Sequence, residues 1–342
     1  MKRILSLDVL RAVAVLLVLG CHVECLADYP VVLKPLIWGG GCGVDLFFVL
    51  SGFLVSGLLF EGQDWKRFLV RRGFKLYPSF WAFVAVTALF SGVDWRVAGE
   101  LLFIQNYRPG LWGHTWSIAV EEHFYLTLPF FLMLLPRRWV TFAALASTGL
   151  CLELRCLELP TIDLLDPAQV QHHMQQTHLR FDALLLGVAL RHWFASEAII
   201  GFCRQHAIWL GTAGVMLLMP LFALPQSHVI WQIAWLTTFK SLGSACLVAA
   251  LVARGVPDNH LTRGLGFIGK HSYSVYLWHP LALMVPGVGW AAVVAYLVVS
   301  LVAGVQLSRC IEQPMLTLRD RLGTGPRHEA CRNVMGSVVR TA

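Results

Sequence analysis

Two residues of the first apolar run, Arg11 and His22, stand eleven positions apart. At ~100° per residue that is three helical turns plus ~20°, so both side chains leave one helix face, ~16 Å apart along the axis. Ionisable groups inside an apolar run are costly and mark function by default. Histidine titrates near neutral pH, which suits it to general-base work. Asp8, three residues before Arg11, can neutralise it. The plain alternative is that Arg11 snorkels to the inner interface while His22 bonds a neighbouring helix. The second apolar run begins GGCGVDLFFVLSGF and places Asp45 near its outer end, at the depth expected for His22. A buried aspartate needs a partner. An Asp45–His22 pair would hold the imidazole in one tautomer and stabilise its protonated form. Capping of the helix start is the alternative for Asp45.

Further along, WKRFLVRRGFKLYPSFW gathers Arg71, Arg72 and Lys75 beside Lys66 and Arg67. Such a cluster suits the phosphates of a charged ligand, or, more plainly, the anionic lipid of the inner leaflet. The segment GHTWSIAVEEHFYLTLP carries Glu121 and Glu122 into an apolar helix, with Trp116 and Tyr125 either as belt aromatics or as site residues. HSYSVYLWHP sets His279 in the outer part of a later run, and RFDALLLG sets Arg180 and Asp182 at the outer start of another, where a local ion pair is the plain reading. Glu312, in IEQP, follows the last run, and Pro314 is expected to end that helix.

These residues have to be positioned by elements suited to lipid. Hydrophobic residues make up 57% of the 342 and charged residues only 14%, well below the roughly 25% of a soluble domain. The expected fold is all-α: a polytopic membrane protein with about ten transmembrane helices at 7–26, 41–60, 74–92, 115–135, 138–154, 180–195, 206–224, 229–252, 266–284 and 288–308, plus a short apolar piece at 97–106. With both termini cytoplasmic, inner segments hold 20 of the 27 Lys and Arg, outer segments 5, and two lie within spans. Two regions follow: 1–315 as the membrane domain and 316–342 as a basic, loosely ordered cytoplasmic tail. The basic residues lie between hydrophobic runs, which argues against nucleic-acid binding. The first run ends V-L-G-C like a lipoprotein cleavage box, but Asp8 and Arg11 interrupt it, so a retained span is expected. No CxxC pair or Cys/His cluster has zinc spacing, and no metal is expected. Cys151 and Cys156 are the plausible disulfide partners, in an expected external loop.

In order and on the right runs, these segments resemble the integral membrane acyltransferase-3 family, whose members O-acylate bacterial surface glycans and some small molecules. LDVLRAVAVLLVLGCH resembles its Arg-x10-His opening through Arg11 and His22. GVDLFFVLSGF resembles its second-helix motif, and WSIAVEEHFYL its Trp-Ser-x-x-Val-Glu-Glu segment, with His123 where Gln is usual. RRGFKLYP resembles its basic motif, with Lys75 in place of the second arginine. RFDALLLG, YSVYLWHP and IEQP follow. Lys75 keeps the charge but loses the planar fork. The resemblance covers Leu7 to Pro314 and implies a stand-alone form, without the SGNH hydrolase-like domain that some members carry.

The resemblance implies an acyl-CoA-dependent O-acyltransferase of the inner (plasma) membrane, with no permanently bound cofactor. Acetyl-CoA, or another acyl-CoA, is the co-substrate. The acceptor is a hydroxyl of a glycan such as a cell-surface polysaccharide. Arg71, Arg72 and Lys75 would bind the acyl-CoA phosphates. The pantetheine arm would pass Arg11 to reach His22, the general base, supported by Asp45. Glu121, Glu122, Trp116, Tyr125, His279 and Arg180 would bind or support the acceptor. The rival reading is a proton-coupled transporter or flippase, which also uses buried Asp, His and Arg.

Overall fold

The computed structural model describes residues 4–30, 34–223, 232–284 and 287–324. These residues are helical with short turns, and no strand occurs among them. In chain order the α-helices are α1 Leu5–Cys21, α2 Lys34–Gly39, α3 Cys42–Phe60, α4 Trp65–Ser91, α5 Trp95–Leu101 and α6 Trp116–Leu134. There follow α7 Val140–Glu158, α8 Pro167–His173, α9 Phe181–Trp193, α10 Glu197–Gln205 and α11 Ala207–Ala223. The last five are α12 Thr237–Arg254, α13 His260–Lys270, α14 Ser272–Ala282, α15 Trp290–Leu307 and α16 Gln313–Arg319. Among the described residues, six helical stretches are long and apolar enough to cross a membrane, or seven if the pair α9 and α10, bent by 110°, is one span. The protein is therefore a multi-pass membrane protein.

Glycines decide how closely the helices meet. A Cβ on Gly52 of α3 would lie 1.9 Å from the Leu184 carbonyl oxygen of α9, and one on Gly187 of α9 would lie 2.2 Å from the Val49 oxygen of α3. Only a missing side chain permits backbones to approach so far. Gly43 meets α1 in the same way, since its Cβ would lie 2.3 Å from the Ala14 oxygen, and a Cβ on Gly269 of α13 would lie 1.8 Å from the Asp8 oxygen. Thus α1 is held between α3 and α13, with Arg11 in its middle turns and His22 at its C-terminal end.

Several expectations are corrected. The third run, expected from 74, begins earlier: the basic stretch is continuous helix with it from Trp65 onward. Asp64 caps it, its carboxylate accepting from the Arg67 backbone N–H at 3.0 Å. The run expected at 266–284 is two helices broken at His271. The first of them starts at His260 behind a capping box formed by Asn259 and Thr262. Pro314 does not end the last helix. A π-helical turn at Ser308–Glu312 resets the backbone, Pro314 falls in the first turn of α16, and helical turns continue to Thr324. Cys151 and Cys156 lie on α7 rather than in a loop and are free thiols. Residues 229–231 of the eighth expected run, and the basic tail beyond 324, lie outside the described residues.

Candidate functional site

The helices line a cavity open to solvent, of about 740 Å³ including its mouth, with residues of α1, α3, α4, α6, α13 and α14 in its walls. Four cations reach it: Arg11 from α1, Arg72 and Lys75 from α4, and Lys270 from α13. Arg72 and Lys75, three residues apart, share the helix face that looks inward. Among the described residues none of the four makes a hydrogen bond or an ion pair. Arg72 instead lies over the rings of Phe68 and Tyr125, at 5.7 and 5.4 Å. Glu121 is the one carboxylate in the lining among the described residues. It accepts from the Tyr125 hydroxyl at 3.0 Å, and Tyr125 in turn lies 2.5 Å from Ser51 Oγ. Four cations around one carboxylate make a chamber that favours a polyanion.

One wall of the cavity includes Tyr276 and Ser117. The Tyr276 hydroxyl donates to the His114 carbonyl at 2.8 Å and accepts from Ser117 Oγ at 2.5 Å. Against Tyr276 and the end of α1 stand three imidazoles. The His22 and His279 rings meet edge to face with centroids 4.8 Å apart, and the His279 and His114 rings with centroids 5.2 Å apart. His22 is absent from the cavity lining, so the cations and the imidazoles occupy adjoining compartments. His114 lies outside the long helices, just ahead of α6. Its loop is tied down by Glu100 of α5, whose Oε1 accepts from the Leu111 N–H at 2.9 Å and the Thr115 hydroxyl at 3.0 Å. Burial pushes Glu100 up to about 7 against the pull of those donors. Burial pushes His114 down, to about 3, so its ring stays neutral.

Asp45 is not the partner of His22. Its carboxylate accepts from Arg180 at 2.7 Å, with both side chains almost inaccessible, and the Arg180 guanidinium lies over Trp116 and Phe48. The reason is geometric. α9 packs backbone to backbone on α3, so the residue just ahead of α9 meets the start of α3. Arg180 and Asp182 accordingly do not pair with each other. Asp182 pairs with Arg155 of α7 at 2.9 Å, and Arg155 also donates to the Leu179 carbonyl and to Thr238.

Among the other expected site residues, Glu122 turns away from the cavity and accepts from the Tyr77 hydroxyl. Arg71 is absent from the lining and lies near Arg319. Glu312 is buried and accepts from Ser274 and Ser308, both at 3.1 Å. Sequence reasoning gave no role to Lys270, Ser117, Tyr276, Glu100 or His114. His114 was visible as a histidine two residues before Trp116. Lys270 was visible as a basic residue in an inner segment.

A family model described as an acyltransferase domain matches residues 4–309. The chain is 26% identical over 321 residues to a peptidoglycan O-acetyltransferase of Listeria monocytogenes, covering 81% of this chain and 49% of that protein. It is also 26% identical over 328 residues to a putative peptidoglycan O-acetyltransferase of Bacillus subtilis, covering 80% and 48%. A putative O-acetyltransferase of Staphylococcus aureus matches at 26% over 322 residues, covering 82% and 50%. The chain spans about half the length of these curated relatives. No solved structure matches it.

Proposed function

The chain belongs to the acyltransferase-3 family of membrane acyltransferases, and from that premise we propose that it moves a short acyl group, most simply acetyl, from cytoplasmic acyl-CoA to a hydroxyl of a cell-envelope glycan. Ten spans in the inner membrane with both termini cytoplasmic belong to the same proposal. The relatives' names favour peptidoglycan as the glycan. The observation that carries the reading is the set of four cations, Arg11, Arg72, Lys75 and Lys270, lining one cavity with no ion-pair partner among the described residues. They suit the phosphates of a CoA ester, whose pantetheine arm is long enough to run from Arg11 toward His22.

In this reading Arg72, Lys75 and Lys270 bind phosphate, Arg11 lies along the arm, and Arg71 attracts the anion from nearer the inner surface. His22 acts at the thioester. Its Nδ1 lies 2.8 Å from the Val18 carbonyl, which leaves Nε2 as the base. The acceptor oxygen loses its proton to Nε2 and forms a bond to the acyl carbon. The C–S bond breaks, and the proton returns to the CoA sulfur. Glu121 and Tyr125 shape the cavity side of the path. His279 stands beside His22, and Trp116 and Glu122 support the acceptor side. Asp45 and Arg180 hold the scaffold through each other. The transporter alternative gains nothing from the family assignment.

The test is thiol release from acetyl-CoA by the full chain in liposomes supplied with a mixture of glycan fragments. His22→Ala is expected to lower turnover about 10²–10⁴-fold. Arg72→Ala is expected to raise the KM for acetyl-CoA about 10–100-fold with a smaller effect on kcat. Wild-type protein that neither binds nor turns over acetyl-CoA would sink the proposal.

A further inference from the structure

α11 and α12 run antiparallel and touch where two glycines face each other. A Cβ on Gly214 would lie 2.9 Å from the Gly243 oxygen, and one on Gly243 would lie 2.9 Å from the Gly214 oxygen. Residues without side chains permit that approach. One turn nearer the start of α11 the contact is lost, and a Cβ on Gly211 would meet nothing within 4 Å. From there to the end of α12 a groove of about 720 Å³, including its mouth, opens between the two helices. Ala207, Gly211 and Val215 stand in one wall, and Ala250, Leu251 and Arg254 in the other.

The groove faces lipid. Ile208, Val215 and Met216 of α11 are large apolar side chains left exposed, and α11 carries no charged residue. In a multi-pass membrane protein such a face is covered by hydrocarbon. Along α11 the lining runs from Ala207 to Met216, which is ~13 Å of helix. One leaflet of hydrocarbon is ~15 Å deep. The groove is therefore about as long as a leaflet is deep, and it ends where a span ends. Arg254 lies in the last turn of α12, and Gly255, with φ 77°, stops the helix.

That end is positively charged. Arg254 is exposed and lines the groove. Arg204 of α10 is fixed close by, since its Nε donates to the carbonyl of Ala253 at 3.1 Å. The carboxylate nearest to Arg254 in sequence, Asp258, is engaged elsewhere: it accepts from Arg263 at 2.7 and 3.0 Å. Guanidinium groups at the end of an apolar groove match a phosphate at the head of an acyl chain. Two of them favour a headgroup with net negative charge.

We propose that this groove binds one anionic diacyl phospholipid, with its phosphate at Arg254 and Arg204 and one acyl chain lying between α11 and α12. Bulk lipid covers any apolar face. What singles out one molecule here is a recess that receives a chain between two helices, with two cations at the depth of the headgroup. Gly211 keeps that recess open. The groove shares no lining residue with the charged cavity, so the lipid site stands whether or not the chain transfers acyl groups.

Native mass spectrometry of the full-length protein in detergent, titrated with phosphatidylglycerol or phosphatidylcholine, tests the proposal. Wild type is expected to hold one phosphatidylglycerol with a Kd about 5–10-fold below that for phosphatidylcholine. The double replacement Arg204→Ala with Arg254→Ala is expected to bring the two lipids within about two-fold of each other. Gly211→Leu leaves both arginines and puts a side chain into the groove, and it is expected to weaken both lipids about 10-fold or more. Gly149→Leu is the control: this residue of α7 is also exposed, and a Cβ on it also meets nothing within 4 Å. It is expected to bind as wild type does. Equal affinity of wild type for the two lipids overturns the proposal. So does Gly211→Leu protein that holds phosphatidylglycerol as wild type does, or an equal loss in Gly149→Leu, because each reduces the lipid to bulk contact. Removing charge and filling the groove are independent changes, so a variant that fails to fold leaves the other to decide.

Discussion

Replacing Asp45 by Asn separates two explanations for this aspartate. In the structure it pairs with Arg180 at 2.7 Å, with side-chain exposures of 1% and 4%. Two unit charges at that distance attract by about 6 kcal/mol at an effective dielectric constant of 20. Much of this offsets the cost of removing both charges from water. Asp45→Asn leaves Arg180 buried without its counter-charge, and the Nε of that guanidinium already has no partner. Breaking one side of such a pair is expected to cost about 3–5 kcal/mol. The double replacement Asp45→Leu with Arg180→Met removes both charges and is expected to recover most of the loss. The coupling energy from the cycle is then about 2 kcal/mol or more. Thermal unfolding of detergent-solubilised protein measures stability, and the pH dependence of acetyl-CoA turnover at low temperature measures the site. If Asp45 acts through Arg180, stability falls while the shape of the pH profile is kept. If Asp45→Asn costs under about 1 kcal/mol and reshapes the pH profile, the aspartate serves His22 and the reasoning from the ion pair is refuted.

Glu100, pushed up to about 7, stabilises the protein as the neutral acid. Its contribution is full below its ordinary value of 4.5 and is lost as pH rises through about 7. Unfolding temperatures of wild type should therefore fall between pH 5.5 and 8, by an amount equivalent to at most about 3 kcal/mol, while Glu100→Gln should show little slope. Gly52→Ala forces a Cβ to within 1.9 Å of the Leu184 oxygen and should prevent close packing of α3 on α9. A folded, fully stable Gly52→Ala protein in a gel-filtration and unfolding assay would contradict that packing. Lys270→Ala should weaken acetyl-CoA binding about 10-fold or more, as Arg72→Ala does, although the lysine lies far from the basic motif in sequence. Equilibrium binding in detergent checks this.

Much of the fold was legible because lipid imposes a strong rule on sequence. Apolar runs long enough to span had to be helical, and each expected run coincides with helix where the residues are described. Breaks within helices were harder to read. The π-helical turn before Pro314 and the break at His271 depend on side chains from other helices, since His271 Nδ1 meets Ser308 Oγ at 2.9 Å. The site was legible in part. The basic cluster pointed to Arg72 and Lys75, and the cavity receives both. Depth alone suggested the Asp45–His22 pair, and depth does not fix direction around the helix axis. The glycine contacts between α3 and α9 set that direction and give Asp45 to Arg180. Lys270 and His114 could not be ranked from sequence, because each reaches its compartment only through long-range packing of α13 on α1 and of the 102–115 loop against α14.

The separation of cations from imidazoles has its own electrostatic logic. A base that must accept a proton is weakened by neighbouring positive charge. At an effective dielectric constant of 20, a cation 4 Å away opposes protonation by about 4 kcal/mol, and one 16 Å away by about 1 kcal/mol. Four cations around a histidine would suppress its use as a base, yet a polyanion needs several cations to leave water. Placing both in one chamber would set these demands against each other. Here Tyr276, fixed between Ser117 and the His114 carbonyl, stands in the wall of the charged cavity with the His279 ring against its other side. A neutral phenol with both hydrogen-bonding roles filled adds no charge to either compartment. The spacing of Arg11 and His22 along α1 carries the same separation in the sequence itself: in the proposed function one helix face supplies a cation for the anion and, three turns further on, a lone pair for the proton.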